Sequence, residues 1–118
     1  MPQRISLVVD DDPSIRMFMA AVLQQEQFDT LQAEDGIEAL EMLRTIDGSI
    51  DLIVSDIQMP RGDGLSFARA VRALFPSIPI ILVSGYVRPE DAFEFIEKPF
   101  SAAELASTVR KVVCEQAA

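Results

Sequence analysis

Short apolar runs alternate with amphipathic segments along the whole chain. The runs are rich in β-branched and aliphatic residues, and the first is apolar on both faces, as in a strand that helices cover on both sides. The second run is the least apolar and the fourth the most apolar. The pattern predicts strands at residues 5–9, 28–33, 50–55, 78–83 and 95–97.

Between the strands, apolar residues recur at helical spacing and predict amphipathic helices. Asp12 is a favourable N-cap and Pro13 suits the first helical position, so the first helix begins there and ends at about Gln25. Ser101 and Glu104 form a capping-box pattern that opens the last helix. The residues predicted to face the core are Ile15, Phe18, Met19, Val22, Leu23, Ile37, Leu40, Leu43, Leu65, Ala68, Val71, Leu74, Leu105, Val109 and Val112.

The alternation of strands and helices predicts an α/β fold with one domain over residues 1–118. Strands separated by helices are joined by right-handed crossovers, so the sheet is expected to be parallel and doubly wound, with helices on both faces. Residues 85–94 depart from this regularity, because the sequence there predicts at most one helical turn.

Charge and cysteine content narrow the class of protein. The chain has 19 acidic and 10 basic residues and a net charge of −9, without a Lys/Arg cluster, which disfavours direct binding to nucleic acid or to an anionic membrane. No window approaches the roughly 20 apolar residues of a membrane span, and the N-terminal apolar stretch is too short for a signal peptide. Cys114 is the single cysteine, which is typical of a reducing compartment, and we expect a cytoplasmic protein.

Polar side chains follow four of the predicted strands. Asp10 and Asp11 follow the first strand, Asp56 the third, Ser84 the fourth and Lys98 the fifth. Ligands of open parallel sheets bind at the carboxyl ends of the strands, where the strand order reverses. If the first and third strands are neighbours, the three carboxylates converge on one pocket, which Ser84 and Lys98 close on the other side.

These side chains suit the transfer of a phosphoryl group to a carboxylate. Carboxylates that lie within a few ångströms raise one another's proton affinity unless a cation neutralises them. Oxygen ligands without His or Cys suit Mg²⁺ or Mn²⁺. Lys98 has the charge to pair with Asp56 or with a phosphate beyond it. Catalysis of phosphoryl transfer is mostly positioning and charge neutralisation, which this set provides.

Four motifs together resemble the receiver domain of two-component response regulators. They are VVDD at 8–11, SDIQMPRGDG at 55–64, ILVSG at 81–85 and KPF at 98–100, and they occur in the family's order at compatible spacings over the whole chain. The resemblance implies a chemotaxis-regulator-like, flavodoxin-like (βα)5 domain. Its five-stranded parallel sheet would have the order 2-1-3-4-5.

The resemblance also implies a phosphoacceptor and a metal site. Asp56 would accept a phosphoryl group from the phosphohistidine of a sensor histidine kinase or of a histidine phosphotransfer protein. Asp11 would bind Mg²⁺ directly and Asp10 through water. Asp56 and the main-chain carbonyl of Gln58 would be the other protein ligands.

Further roles follow from the same resemblance. Ser84 and Lys98 would bind phosphoryl oxygens, and the aromatic side chain of Phe95 would rotate when the switch operates. The Lys98–Pro99 bond is expected to be cis. Asp12 has no counterpart in the family's acidic pair, so we interpret it as the helix N-cap alone.

Gln58 and Tyr86 occupy positions that, in the family, adjust the access of water to the acyl phosphate. Our hypothesis is that they set the lifetime of the phosphoryl group.

One departure from the family concerns the fourth helix. Only 13 residues separate Ser84 from Lys98, fewer than usual by about two helical turns. The fourth helix is therefore expected to be vestigial or replaced by a loop. Because this helix normally belongs to the output surface, we expect a different partner surface or unusual mobility at residues 85–94.

The resemblance implies a downstream protein partner and a monomer or weak dimer. No output domain follows the last helix, so we expect a stand-alone regulator, a phosphate relay or a fragment of a longer hybrid protein.

Other classes fit the sequence less well. A haloacid-dehalogenase-like phosphatase normally has a second Asp two residues after its nucleophile, and that position is Gln58, which cannot transfer a proton. A flavodoxin-like cofactor binder would hold phosphate at the first strand–helix loop, where Asp10, Asp11 and Asp12 would repel it. The remaining alternative is a receiver-like docking module that signals without phosphorylation.

Overall fold

The five predicted strands form one parallel sheet. The structure, a computed structural model, describes residues 4–60, 63–85 and 93–117. The sheet order is β2-β1-β3-β4-β5, which confirms the predicted order. The strands are β1 (Arg4–Val9), β2 (Phe28–Ala33), β3 (Leu52–Asp56), β4 (Ile80–Ser84) and β5 (Glu94–Glu97), and the helices are α1 (Pro13–Gln25), α2 (Gly36–Thr45), α3 (Gly64–Leu74) and α4 (Ala102–Ala117).

Four helices occur in the part of the chain that the structure describes, and α4 follows β5. This count fits the prediction that the helix which the family has between β4 and β5 is shortened here. The prediction about residues 85–94 falls largely on residues 86–92, which lie outside the described residues. None of the described helices is long and apolar enough to cross a lipid bilayer.

Strands β3 and β4 begin two residues later than the apolar pattern predicts. Ile50 and Ile78, the apolar residues at the predicted starts, are buried, but they fill the core from the segments that precede the strands. Pro79 has no N–H to donate to a neighbouring strand, and β4 begins directly after it. Both strands also end one residue later than predicted, so Asp56 and Ser84 are the last residues of their strands.

The sheet separates two apolar layers. Buried residues of α2 and α3, such as Leu43 and Phe67, pack on one face. Buried residues of α1 and α4, such as Leu23 and Leu105, pack on the other face. Because successive residues of a strand point to opposite faces, the buried residues of β1 contribute to both layers, Leu7 and Val9 to the first and Val8 to the second. The helices therefore hold the sheet from both sides, as predicted for a doubly wound fold.

Some of the predicted core positions are instead exposed. Phe18, Ile37 and Leu74 are 40%, 46% and 51% exposed, although their spacing places them on the apolar faces of their helices. Ile37 and Leu74 lie in the first and last turns of α2 and α3, where a side chain has fewer neighbours. Phe18 packs instead against Phe100, with 6.0 Å between the ring centroids.

Side-chain caps fix the points at which the helices begin. The carboxylate of Asp12 accepts hydrogen bonds from the N–H groups of Ser14 and Ile15, at 2.9 and 3.4 Å. At the start of α4, Ser101 and Glu104 exchange side-chain to main-chain bonds of 3.1 and 3.2 Å, which is the predicted capping box. The side chains of Asp35 and Asp63 likewise accept hydrogen bonds from main-chain N–H groups at the first turns of α2 and α3.

We predict that Asp12→Ala lowers the free energy of unfolding by about 1 kcal/mol, because it removes the acceptor at the first turn of α1. Urea unfolding followed by circular dichroism measures this. Asp12→Asn is the control, since it keeps a capping oxygen and should retain most of the stability. An Asn variant as unstable as the Ala variant would show that the negative charge, and not the hydrogen bond, stabilises the helix.

Candidate functional site

The carboxyl ends of the strands border a cavity of about 630 Å³. Its polar wall consists of Asp10, Asp11, Asp56, Gln58 and Lys98, and Asp12 also lines it. Its remaining wall is mostly apolar and includes Ile15, Phe18, Pro99 and Phe100. The cavity thus has an acidic end at the sheet and an apolar end toward α1 and the start of α4.

Three carboxylates meet at the acidic end. Asp10, Asp11 and Asp56 each offer an oxygen atom within 4.8 Å of the others. The parallel pairing of β1 with β3, in which Val9 is opposite Ser55, brings the two strand ends side by side. Asp10 and Asp56 are 1% and 5% exposed, whereas Asp11 is exposed to solvent. Such a cluster of hard oxygen atoms could hold a divalent cation.

Among the residues that the structure describes, Lys98 is the cation that pairs with two of these carboxylates. Its Nζ lies 3.3 Å from Asp10 Oδ2 and 3.3 Å from Asp56 Oδ1. The main-chain N–H of Lys98 donates to the carbonyl of Ser84 at 2.9 Å, which fixes the end of β5 against β4, and the Lys98–Pro99 bond is cis. With three carboxylates and one ammonium, the ionised cluster carries a charge of −2 (−3 + 1).

Burial raises the pKa of two of the carboxyl groups. The pKa of Asp10 is raised because burial disfavours its charged form, although the N–H of Asp12 and the Lys98 ammonium act in the opposite direction. The pKa of Asp56 is raised for the same reason, again opposed by Lys98. Lys98 therefore compensates only part of the desolvation, and a further cation would relieve more of it.

Arg16 donates hydrogen bonds to the turn that carries the acidic residues and to β2, and the sequence patterns do not predict these contacts. Its Nη1 donates to the main-chain carbonyl of Asp10 at 2.8 Å, and its Nε donates to Gln32 Oε1 at 3.1 Å. Asp10 Oδ1 also accepts from the N–H of Asp12 at 2.9 Å. No spacing in the sequence indicates this contact, because it joins the guanidinium to a main-chain carbonyl and to a side chain of β2.

Ser84 and Gln58 are in direct contact. The Ser84 hydroxyl donates to Gln58 Oε1 at 2.6 Å, and Ser84 is fully buried. Phe95 lies opposite Leu82 in the sheet and is half-buried against the α2–α3 layer. Tyr86, the other residue expected to affect the phosphoryl lifetime, lies outside the described residues.

Gly64, the first residue of α3, lies directly against the main chain of Asp56. A Cβ atom at this position would lie 1.8 Å from the carbonyl oxygen of Asp56. The Gly64 N–H donates to the carbonyl of Ile57 at 2.9 Å. This close approach, which only a residue without a side chain allows, fixes the segment that follows β3.

The chain matches a family model and several curated proteins. Residues 6–110 match the model for the response regulator receiver domain. Sensor kinase CckA of Brucella abortus (strain 2308) is 38% identical over 118 residues, which covers 93% of this chain and 12% of that protein. The DNA-binding response regulator MtrA of Mycolicibacterium smegmatis is 36% identical over 118 residues, which covers 93% of this chain and 50% of that protein. The chain thus spans half or less of the length of these relatives.

Solved structures share the fold. Chemotaxis protein CheY4 of Vibrio cholerae superposes with a TM-score of 0.83 at 30% identity and covers 94% of this chain and 99% of its own. The receiver domain of the hybrid histidine kinase CckA superposes with a TM-score of 0.82 at 32% identity and covers 92% of this chain and 98% of its own. These matches confirm the flavodoxin-like receiver fold that the sequence predicted.

We predict that Gly64→Ala lowers the free energy of unfolding by about 1–3 kcal/mol, because the added methyl group displaces the main chain of Asp56. In an open helical position the same change would be stabilising, so the sign of the effect is diagnostic. Gly85→Ala is the matched control, since its Cβ would meet Lys98 Cβ at an ordinary 3.6 Å. Urea unfolding of both variants tests the prediction, and equal stabilities would contradict it.

Proposed function

The chain belongs to the response regulator receiver domain family, and on that premise we propose that Asp56 accepts a phosphoryl group from a phosphohistidine. Receiver domains are regulatory modules and not classical enzymes, and we expect no turnover of an external substrate. The observation that carries the proposal is the position of Asp56, which is buried at the acidic end of the cavity beside Asp10 and Lys98. This position suits a carboxylate nucleophile beside a cation that neutralises charge.

In the proposed step, a carboxylate oxygen of Asp56 attacks phosphorus. The P–N bond to the imidazole breaks, the ring nitrogen keeps the electron pair, and an acyl phosphate forms on Asp56. Lys98 Nζ, already 3.3 Å from Asp56 Oδ1, would pair with a phosphoryl oxygen. The hydroxyl of Ser84, at the end of the neighbouring strand, would donate to another.

The acidic cluster fits the metal that the family implies, since it offers three hard oxygen ligands within 4.8 Å of one another. We propose that Asp11 holds Mg²⁺ or Mn²⁺ directly, that Asp10 holds it through water, and that Asp56 and the carbonyl of Gln58 complete the protein ligands. The bound ion would neutralise the carboxylates and the incoming phosphoryl oxygens.

We propose a sensor histidine kinase or a histidine phosphotransfer protein as the phosphoryl donor. The relatives support this, because one is a sensor kinase and another is a response regulator. We further propose a downstream protein partner, and a monomer or weak dimer as the working form of residues 1–118.

We predict that Asp56→Asn abolishes the incorporation of a phosphoryl group, because the amide cannot act as the nucleophile. Intact-mass spectrometry after incubation with acetyl phosphate and Mg²⁺ measures the addition of one phosphoryl group. Asp12→Asn is the matched control from the acidic run, and it should be phosphorylated like the parent protein. Phosphorylation that persists in Asp56→Asn would assign the acceptor elsewhere, and a parent protein that is never phosphorylated would favour the docking-module alternative.

We predict that Mg²⁺ raises the free energy of unfolding of the parent protein by about 2.7 kcal/mol at one hundred times its dissociation constant, since the ion binds the folded state. Urea unfolding with and without Mg²⁺ measures this. Asp11→Asn should lose most of the increment because a direct ligand is gone, and Asp12→Asn should keep it. An unchanged increment in Asp11→Asn would contradict the assigned ligand.

A further inference from the structure

We propose that the side chain of Gln58 acts as a latch, which holds the hydroxyl of Ser84 in the unphosphorylated protein and opposes phosphorylation. This inference rests on the proposed function, since it concerns the hydroxyl that the phosphoryl group would need. It assigns to Gln58 a positioning role through Ser84, separate from the role of its main-chain carbonyl.

The fold brings the end of β4 together with the segment that follows β3. Asp56 lies opposite Val83 in the pairing of β3 with β4, so Ser84 and the segment after Asp56 reach the same edge of the sheet. Gln58 is half-buried and lines the cavity. Its Oε1 accepts the Ser84 hydroxyl at 2.6 Å, which is at the short end of the range for O–H···O hydrogen bonds.

The latch follows from the chemistry of a hydroxyl group. A serine hydroxyl has a single proton, so it donates one strong hydrogen bond at a time. When the Ser84 hydroxyl donates to a phosphoryl oxygen on Asp56, it must leave Gln58 Oε1. The two arrangements are therefore mutually exclusive, and the group that binds at Asp56 must offset the lost bond. This gives the site two discrete states whose balance the residue at position 58 adjusts.

The side-chain amide of Gln58 is suited to position 58 because its oxygen accepts a hydrogen bond without carrying a charge. A carboxylate at position 58 would add a fourth negative charge beside Asp10, Asp11 and Asp56, whose oxygen atoms already lie within 4.8 Å of one another. It would also repel the incoming phosphoryl group. Gln58 thus holds the hydroxyl with little effect on the electrostatics of the acceptor.

The test uses trifluoroberyllate at saturating Mg²⁺, an anion that mimics a phosphoryl group on a carboxylate. Gln58→Leu keeps the main-chain carbonyl but removes the acceptor, and it should bind the anion about 2- to 10-fold more tightly. Gln25→Leu, at the exposed end of α1, is the matched control and should bind like the parent protein. Isothermal titration calorimetry measures the affinities.

A double-mutant cycle shows whether the effect passes through the hydroxyl. In a Ser84→Ala background the Gln58→Leu change should leave the affinity for trifluoroberyllate unaltered, and equal tightening in both backgrounds would overturn the latch. In the protein without Mg²⁺ or anion, the two substitutions should couple in the unfolding equilibrium constant by about 2- to 10-fold. Absence of that coupling would also overturn it.

Failure of the latch and failure of the proposed function are distinguishable. If the parent protein binds trifluoroberyllate and Gln58→Leu binds it with the same affinity, the latch is wrong and the acceptor assignment stands. If the parent protein binds none, the acceptor assignment and the latch that rests on it are both wrong.

Discussion

The constraint on which the rest of the site depends is electrostatic. Three carboxylates lie at one edge of the sheet, where burial and repulsion disfavour the charged forms of two of them. The fold removes Asp10 and Asp56 from water, and burial raises the pKa of each. Lys98, at 3.3 Å from both, lowers that cost in part, and the cluster retains a charge of −2 when all groups are ionised. Binding of a cation would lower both the repulsion and the cost of desolvation, so the geometry itself favours a metal site.

Main-chain contacts maintain this arrangement against repulsion. The guanidinium of Arg16 holds the carbonyl of Asp10, and the cap formed by Asp12 fixes the start of α1 beside it. On the other strand, the absence of a side chain at Gly64 lets α3 begin against the main chain of Asp56. Stability and the geometry of the site are therefore linked, since the contacts that order the chain also set the distances between the carboxylates.

Much of the fold could be predicted from local patterns. The bounds of α1 followed from a cap, a proline and an apolar stripe, and those of β2 from its apolar run. The starts of β3 and β4 were predicted too early, because Ile50 and Ile78 are buried without belonging to a strand. Hydrophobicity records burial and does not record which main-chain groups pair. The strand order came from the family resemblance, since periodicity carries no information on which strands are neighbours.

The acidic residues and the lysine of the site could be predicted because they lie at strand ends or just after them, and parallel strands end at one edge. Arg16, Gly64 and the contact between Gln58 and Ser84 could not be predicted in this way. Each depends on a distance between segments that only the folded chain sets, such as the 2.6 Å between two side chains that are 26 residues apart. Spacing in the sequence identifies which groups gather at an edge, and it does not identify which of them touch.

The main-chain carbonyl and the side chain of Gln58 have separate roles in the proposals. Every residue type has a main-chain carbonyl, so a metal ion bound by that carbonyl does not restrict the side chain at position 58. The side chain is then free to differ, and a carboxylic acid would provide the proton transfer that a phosphatase needs. The glutamine found here cannot provide it, and its amide oxygen engages the buried hydroxyl of Ser84 instead. The same residue thus lacks the acid that such a phosphatase needs, and it connects the segment after β3 to the end of β4, which would bind the phosphoryl group in the proposed function.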